Sequence, residues 1–299
     1  MPDKQTITSF FEHLQDTICQ GLEEADGGAE FQQDAWERPG GGGGRTRVIQ
    51  DGNVLEKGGV NFSAVYGEMP QALQEKMGMV GNTFYATGVS IVLHPKSPMA
   101  PIIHMNVRYF EMSGEQNRYW FGGGIDLTPH YVVKEDARYF HQELKKVCDR
   151  HHTEFYPQFK SWADDYFYIK HRKETRGIGG IFFDRLTETE SFGKAQIFEF
   201  VKDVGLAFVP VYSQLIQKNR DLPFGEKEKD WQLVRRGRYV EFNLVLDQGT
   251  KFGLETDGRI ESILMSLPKQ ANWYYNHQPE AGSKEAETLA WLKKGINWV

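Results

Sequence analysis

The sequence predicts an α+β fold in which an antiparallel sheet is followed by a series of helices. Residues 88–110 alternate between apolar and polar side chains on either side of a Pro-rich loop, as two paired strands do. Residues 4–24 and 190–220 instead repeat apolar side chains at helical spacing. Strands in one run and helices in another are typical of this fold class.

The composition predicts one globular domain over residues 1–299. Hydrophobic residues make up 39% of the chain, which is enough for a core, and no linker is long enough to divide it. The net charge of -6 argues against a nucleic-acid or membrane-surface partner, because both attract a basic surface. No apolar run approaches the ~18 residues that span a membrane.

The sequence also predicts a cytoplasmic, reducing location. The first residues contain acids and have no small-residue cleavage site, so they do not resemble a secretory signal. Cys19 and Cys148 form neither a disulfide framework nor a metal knuckle by their spacing.

The N-terminal region predicts a helix over 4–24 that packs through Phe10, Leu14, Ile18 and Leu22. A short further helical turn is expected over 31–36. The glycine run 40–44 has two interpretations, a flexible linker or a mobile flap over a ligand. In the second, the arginines that follow would bind carboxylates.

The central hairpin over 88–110 has two unlike faces. One carries aliphatic side chains, which predicts a core. The other is polar, and it can be either a solvated face or a functional site. Two histidines, an asparagine and an arginine favour the site. The polar face comprises Ser90, His94, His104, Asn106 and Arg108.

The segments around this hairpin predict more strands. Residues 54–69 predict a strand pair that turns at Gly58-Gly59, and residues 70–77 a helical piece. Residues 118–121 predict a strand that closes at the glycines 122–124.

The C-terminal half is expected to be largely helical. Helices are expected over 134–152, from Pro157, over 190–220 with a kink at Pro210, over 224–236, and over 283–294. Residues 238–246 predict a strand, and Asp257-Gly258 a hairpin turn with Arg259 at its exit.

Histidines and arginines supply the candidate chemistry. His94, His104, His141 and His171 could bind a metal or move protons, but none has a metal-motif spacing. By position alone, His141 is expected at a helix surface, and His171 near a helix C-terminus. Asp184 is expected to cap or turn the chain. Arginines near strands and glycine turns predict a ligand with several carboxylates; they are Arg45, Arg47, Arg108, Arg176, Arg235, Arg236, Arg238 and Arg259.

A set of collinear blocks resembles the oxygen-dependent coproporphyrinogen III oxidase family, including its bacterial members. The blocks are GGGGRTRVI, GVNFS, GVSIVLHP, HMNVRYF, YWFGGGIDLTP, YFYIKHR, RGIGGIFFD, RRGRYVEFNL and RIESILMSLP. Each block alone has low specificity, whereas their joint order is specific.

The resemblance implies a large curved antiparallel sheet flanked on both sides by α-helices, in a homodimer whose interface covers about 239–274. It implies an oxidoreductase of haem biosynthesis that converts two propionates of coproporphyrinogen III to vinyl groups. The products are protoporphyrinogen IX and CO2. Molecular oxygen is the co-substrate, no organic cofactor is expected, and a divalent metal is left open.

The resemblance also implies roles for single residues. Ser90, Asn106-Val107-Arg108 and Asp257-Gly258-Arg259 match substrate contacts, and His104 matches a proton donor. Metal ligands of bacterial members match His94, His104, His141 and His171. Two positions depart from the family pattern: Arg185 stands where many relatives have a second acid, and Asp257 where the family has glycine.

From these residues we hypothesise that Asp184 bonds the pyrrole N–H groups and supports their deprotonation. Arg108 or Arg259 would anchor a propionate, and His104 would transfer a proton. Two other classes remain open: a metal-dependent oxygenase or hydrolase built on the four histidines, and a tetrapyrrole-binding protein without catalysis.

Overall fold

The computed structural model describes residues 1–68, 83–113, 118–255 and 258–299. The helical piece expected at 70–77 lies outside these ranges, as does Asp257. Within them, no helix is long and apolar enough to cross a membrane.

Nine strands are described. They are β1 (Gln32–Glu37), β2 (Gly42–Gln50), β3 (Leu55–Glu68), β4 (Thr83–Pro95), β5 (Ile102–Ser113), β6 (Arg118–Thr128), β7 (Tyr168–Ile169), β8 (Glu174–Thr175) and β9 (Gly179–Leu186). The helices are α1 (Lys4–Asp26), α2 (Lys134–Asp149), α3 (Phe155–Tyr166), α4 (Lys194–Asn219), α5 (Glu226–Glu241), a π-helix (Phe242–Leu246), α6 (Gln248–Glu255), α7 (Ile260–Leu264) and α8 (Lys284–Trp291).

Seven strands form one antiparallel sheet in the order β1-β2-β3-β4-β5-β6-β9. Val89, Ile91 and Leu93 of β4 are buried on one face, together with Ile103 and Met105 of β5. Helices α1 and α4 pack on this apolar face. Ser262 in α7 and Ser266 just after it form hydrogen bonds with the polar face. The predicted α+β fold, with helices on both sides of a large antiparallel sheet, is confirmed.

The N-terminal helix forms as predicted because both ends are capped. Asp3 accepts a hydrogen bond from the Thr6 amide, and Gly27 ends the helix with a φ of 69°. The helix expected at 31–36 is wrong, since β1 occupies this segment. Its outer position as an edge strand accounts for its exposed side chains, which carry little apolar periodicity.

The glycine run is not a linker between domains, because it lies at the turn between β1 and β2 and in β2 itself. Gly42 to Gly44 form the start of β2, between β1 and β3. A side chain at Gly44 would collide with the Trp36 ring and with the Phe62 carbonyl oxygen. The glycines therefore permit close packing within a sheet.

Two predicted strand ends are also wrong, because the glycines that suggested them lie within strands. Residues 55–68 form a single strand, because Gly59 gives room to Met265 rather than turning the chain. Strand β6 continues through the glycines 122–124 to Thr128.

The expected strand at 238–246 is helical instead. Tyr239, Phe242 and Asn243 are buried. Phe242 and Asn243 follow Tyr239 by three and four residues, which is the spacing of one helix face. The proposed hairpin at 257–258 is wrong in its flanks, since α6 and α7 stand where strands were expected. The last helix, capped by the Ser283 hydroxyl, is confirmed.

Candidate active site

The polar face of the central strands brings the predicted site residues into adjacent rows. Strand pairing places Ser63, Gly88, Arg108 and Gly122 side by side in one row. The next row holds Asn61, Ser90, Asn106 and Gly124, and a third holds Gly59, Val92, His104 and Asp126. Because side chains alternate along a strand, all three rows point to the same face.

This face is not an ordinary solvated surface, because the chain after α6 lies on part of it. Asn61 donates to the Ser262 carbonyl oxygen at 2.6 Å, and the Thr46 and Ser262 hydroxyls are 2.7 Å apart. Lys57 donates to the Leu267 carbonyl oxygen. The C-terminal segment thus covers β2 to β4 and forms one side of the site.

His104 is paired with a carboxylate that the sequence analysis had not singled out. Its Nδ1 lies 2.8 Å from Asp126 Oδ1. Burial alone would raise the pKa of Asp126, but the charge of Arg176 and the hydrogen bond with His104 outweigh it and lower the pKa. Asp126 is therefore an anion that orients the imidazole.

Arg108, Asn106 and Asp184 form a second cluster. Arg108 donates to Asn106 Oδ1 at 2.7 Å and to Asp184 Oδ1 at 2.6 Å. The pair lies over Gly122, where a Cβ would be 2.6 Å from the Asp184 oxygen. Both charged side chains are about one third exposed, at 36% and 33%, so that a ligand can reach them.

The other predicted substrate contacts are distributed as follows. Ser90 lies beside Asn106 on the polar face. The Val107 side chain is instead buried in the core on the opposite face. The Gly258 amide donates to the Gly253 carbonyl oxygen. Arg259 is paired with Asp34 and stands over the Trp36 ring.

The four histidines are not assembled into a metal site in the part of the chain that is described, where no group of three or more His, Cys, Asp or Glu side chains could hold an ion. Buried His94 lies 2.8 Å from the Ser266 carbonyl oxygen. Both nitrogens of His141 have partners, the Tyr156 hydroxyl and the Ile178 carbonyl oxygen. His171 bonds to Glu241. The implied four-histidine ligand set does not fit this arrangement.

His141 also differs from the surface residue that its helix position suggested. It is fully buried, and desolvation lowers its pKa to about 3, so it is neutral at physiological pH. His171 lies beyond the end of α3, and its partner is a carboxylate rather than a helix terminus.

The eight arginines all have carboxylate partners within the chain, so their number alone does not indicate free ligand-binding groups. Arg45 and Arg47 pair with Asp16 of α1. The others form the pairs Arg108–Asp184, Arg176–Asp126, Arg235–Glu174, Arg236–Glu56, Arg238–Glu241 and Arg259–Asp34. Only Arg108 and Arg259 combine a partly exposed side chain with a position on the polar face.

Asp126 and Arg176 are the site residues that the sequence analysis missed. One signal was available for Asp126: it follows Gly122 and Gly124 at the period of a strand, which places all three on one face. The prediction that β6 ended at these glycines hid that signal. Arg176 had no comparable pattern, because it lies after β8 and reaches Asp126 only through the fold.

Comparison with known proteins identifies the family of the chain. The sequence model described as coproporphyrinogen III oxidase matches residues 6–298. The oxygen-dependent coproporphyrinogen-III oxidase, chloroplastic, of Glycine max is 52% identical over 300 residues, which cover 95% of this chain and 77% of that protein.

Two further plant proteins are similar to the same extent. Coproporphyrinogen-III oxidase 1, chloroplastic, of Arabidopsis thaliana is 51% identical, with 95% of this chain and 76% of that protein covered. The oxygen-dependent enzyme of Nicotiana tabacum, also chloroplastic, is 50% identical, with 95% and 75% covered. The chain belongs to the coproporphyrinogen III oxidase family.

Proposed function

We propose that this chain catalyses the oxygen-dependent conversion of two propionates of coproporphyrinogen III to vinyl groups, giving protoporphyrinogen IX and CO2 in haem biosynthesis. The observation that carries the proposal is the glycine-lined polar face between the Arg108–Asp184 pair and the His104–Asp126 pair, in a chain of this family. The two pairs place a guanidinium, two carboxylates and an imidazole along one face of the sheet.

Two arginines are suited to bind propionates at opposite sides of this face. Arg108 lies on β5, and Arg259 stands by β1, which is four strands away in the sheet. Strands are about 4.8 Å apart, so the two positions are separated by roughly 19 Å. A substrate with several carboxylates could contact both. Each arginine would either release its internal aspartate when it binds a substrate carboxylate, or bind both carboxylates at once.

The reaction needs proton transfer beside the bound ring. Each reacting propionate loses CO2 and the equivalent of a hydride, which with O2 and one proton makes H2O2. Asp184 bonds the pyrrole N–H groups and supports their deprotonation, while His104, oriented by Asp126, transfers a proton. The protein positions an electron-rich pyrrole that can itself react with oxygen, and it shields the intermediate.

We assign no step to a metal or an organic cofactor. The four histidines that the resemblance implied as ligands are engaged with other partners, so the described residues offer no fitting ligand set. The alternative of an obligatory four-histidine metal site therefore has no support from the geometry.

The cytoplasmic location also stays a prediction.

The proposed assembly is a homodimer with its interface at about 239–274. Six large apolar side chains in this segment are between 43 and 58% exposed, which favours a buried role in an assembly. They are Leu244, Val245, Leu254, Ile260, Trp273 and Tyr274. Sedimentation analysis tests this: we expect a dimer that Val245→Glu weakens, and a monomeric wild-type chain would contradict it.

The activity is tested with chelator-treated protein that is mixed anaerobically with coproporphyrinogen III and then exposed to oxygen. We expect the vinyl product only after oxygen is added, and without added metal. Product that forms only after a divalent metal is returned would favour the metal-dependent alternative. Binding without any product would favour the tetrapyrrole-binding alternative.

A further inference from the structure

Arg176 is a buried arginine in an aromatic cage directly behind the His104–Asp126 pair. Its side chain is 2% exposed. The guanidinium carbon lies 4.4 Å from the Phe167 ring centroid, 4.6 Å from that of Phe242 and 4.8 Å from that of Tyr239. Three rings thus restrict the guanidinium and replace water around its charge.

The polar contacts of Arg176 are equally restrictive. It donates to Asp126 through Nη2 at 2.7 Å and through Nε at 3.3 Å, a two-point contact. Its Nη1 donates to Asn243 Oδ1 at 2.9 Å. Asn243 belongs to the π-helix Phe242–Leu246, and such distortions are frequent at functional sites.

These contacts form one chain that ends at the proposed proton-transfer group. Asp126 Oδ1 accepts from Arg176 and lies 2.8 Å from His104 Nδ1. Asp126 is 1% exposed, so bulk water cannot replace the arginine. When His104 donates from Nδ1 to this carboxylate, the neutral ring has its lone pair on Nε2, where it can accept a proton.

We propose that Arg176 is a positioning residue that acts through Asp126 on His104, and that Tyr239, Phe242 and Asn243 hold it in place. The inference rests on the proposed function for the role of His104. A buried ion pair adds little net stability, because desolvation offsets its attraction. Its use here is geometric, since the guanidinium sets the plane of the Asp126 carboxylate and therefore the orientation of the imidazole.

The test compares Arg176→Lys and Asn243→Ala with the matched control Arg235→Lys. Arg235 is also buried and paired, but its partner Glu174 does not contact the His104–Asp126 pair. Steady-state kinetics measures kcat and KM with coproporphyrinogen III. Nuclear magnetic resonance of ¹⁵N-histidine-labelled protein follows the Nδ1–H signal of His104 without substrate, and the spectrum of His104→Gln assigns it.

We expect Arg176→Lys and Asn243→Ala to lower kcat about 10- to 100-fold, the usual effect of removing such an orienting partner. KM should change by less than about threefold, because neither residue is expected to touch the substrate. The His104 Nδ1–H signal should shift or disappear in both variants. It should not change in Arg235→Lys, which should also keep its kcat.

The proposal is overturned if folded Arg176→Lys keeps the wild-type kcat and His104 signal, or if Arg235→Lys changes both equally. If Arg176→Lys does not fold, Asn243→Ala decides by the same two measurements. Failure of the proposed function would be seen separately, as the absence of vinyl product from the wild-type chain.

Discussion

Arg108 donates a hydrogen bond to the Asp184 carboxylate across 2.6 Å, directly above Gly122. The same guanidinium donates to Asn106, so two of its donors are already in use. A propionate that binds Arg108 must therefore displace Asp184 or share the guanidinium with it. Displacement would leave the Asp184 carboxylate beside the bound ring, where it can accept from a pyrrole N–H.

Asp184→Asn should reduce turnover much more than it affects folding. We expect kcat to fall by about 100-fold or more, as for loss of a proton-transfer group. An exposed ion pair contributes only about 0–1 kcal/mol, so the melting temperature should change little. The measurements are steady-state kinetics and thermal unfolding.

Asp165→Asn is the control for this variant, because it removes an exposed pair with Lys294 that lies outside the site. Normal activity in Asp184→Asn would remove Asp184 from the mechanism.

Gly122→Ala should disturb the same pair through its geometry. The added Cβ would lie 2.6 Å from Asp184 Oδ1 and 2.7 Å from Arg108 Nη2. These atoms end flexible side chains, so the pair can move aside at small cost to stability. We expect kcat/KM to fall about 10- to 100-fold, since small displacements of catalytic groups have effects of that size.

The matched substitution is Gly193→Ala, where the nearest atom to a new Cβ is Gln196 Oε1 at 3.8 Å. Equal activity in the two alanine variants would show that the position of the pair does not matter.

His141→Gln should destabilise the fold without abolishing catalysis. Both ring nitrogens of this buried residue have partners, and leaving the Tyr156 hydroxyl or the Ile178 carbonyl oxygen unpaired costs about 1–3 kcal/mol each. The kcat of the folded fraction should stay within about threefold of the wild-type value. Denaturant unfolding and kinetics at a temperature below the transition test this, with exposed His152→Gln as control. A stable but inactive His141→Gln variant would support a metal-ligand role instead.

Glu241 should make stability fall at acid pH. Burial would raise its pKa, but hydrogen bonds from Arg172, His171 and Trp273 lower it to about 2, below its ordinary value of 4.5. Because the folded pKa is the lower one, the stabilising contribution is complete above pH 4.5 and is lost as the pH falls towards 2.

Glu241→Gln should therefore lower the unfolding free energy at pH 7 and make it less dependent on pH between 4.5 and 2. Urea unfolding over this range measures it. Glu199→Gln, which removes an exposed pair with Lys202, should leave the pH dependence unchanged. An unchanged slope in Glu241→Gln would contradict the assignment.

The sequence determined which face of each central strand is polar, because the alternation of side chains is a local property of an extended chain. It therefore placed Ser90, His104, Asn106 and Arg108 on one face correctly. It failed at glycines, where the same residue type serves a turn or close packing. Gly59 and Gly122 lie within strands, and only their neighbours Met265 and Asp184 explain why.

Only the tertiary structure decided which groups meet. Asp126 and Arg176 are 50 residues apart and share a two-point contact, and Asn243 completes it from a segment whose sequence resembled a strand. It also decided that the arginines are paired internally and that the four histidines have separate partners. Such contacts depend on packing between distant segments, whereas the sequence pattern of each segment records only its own backbone geometry and burial.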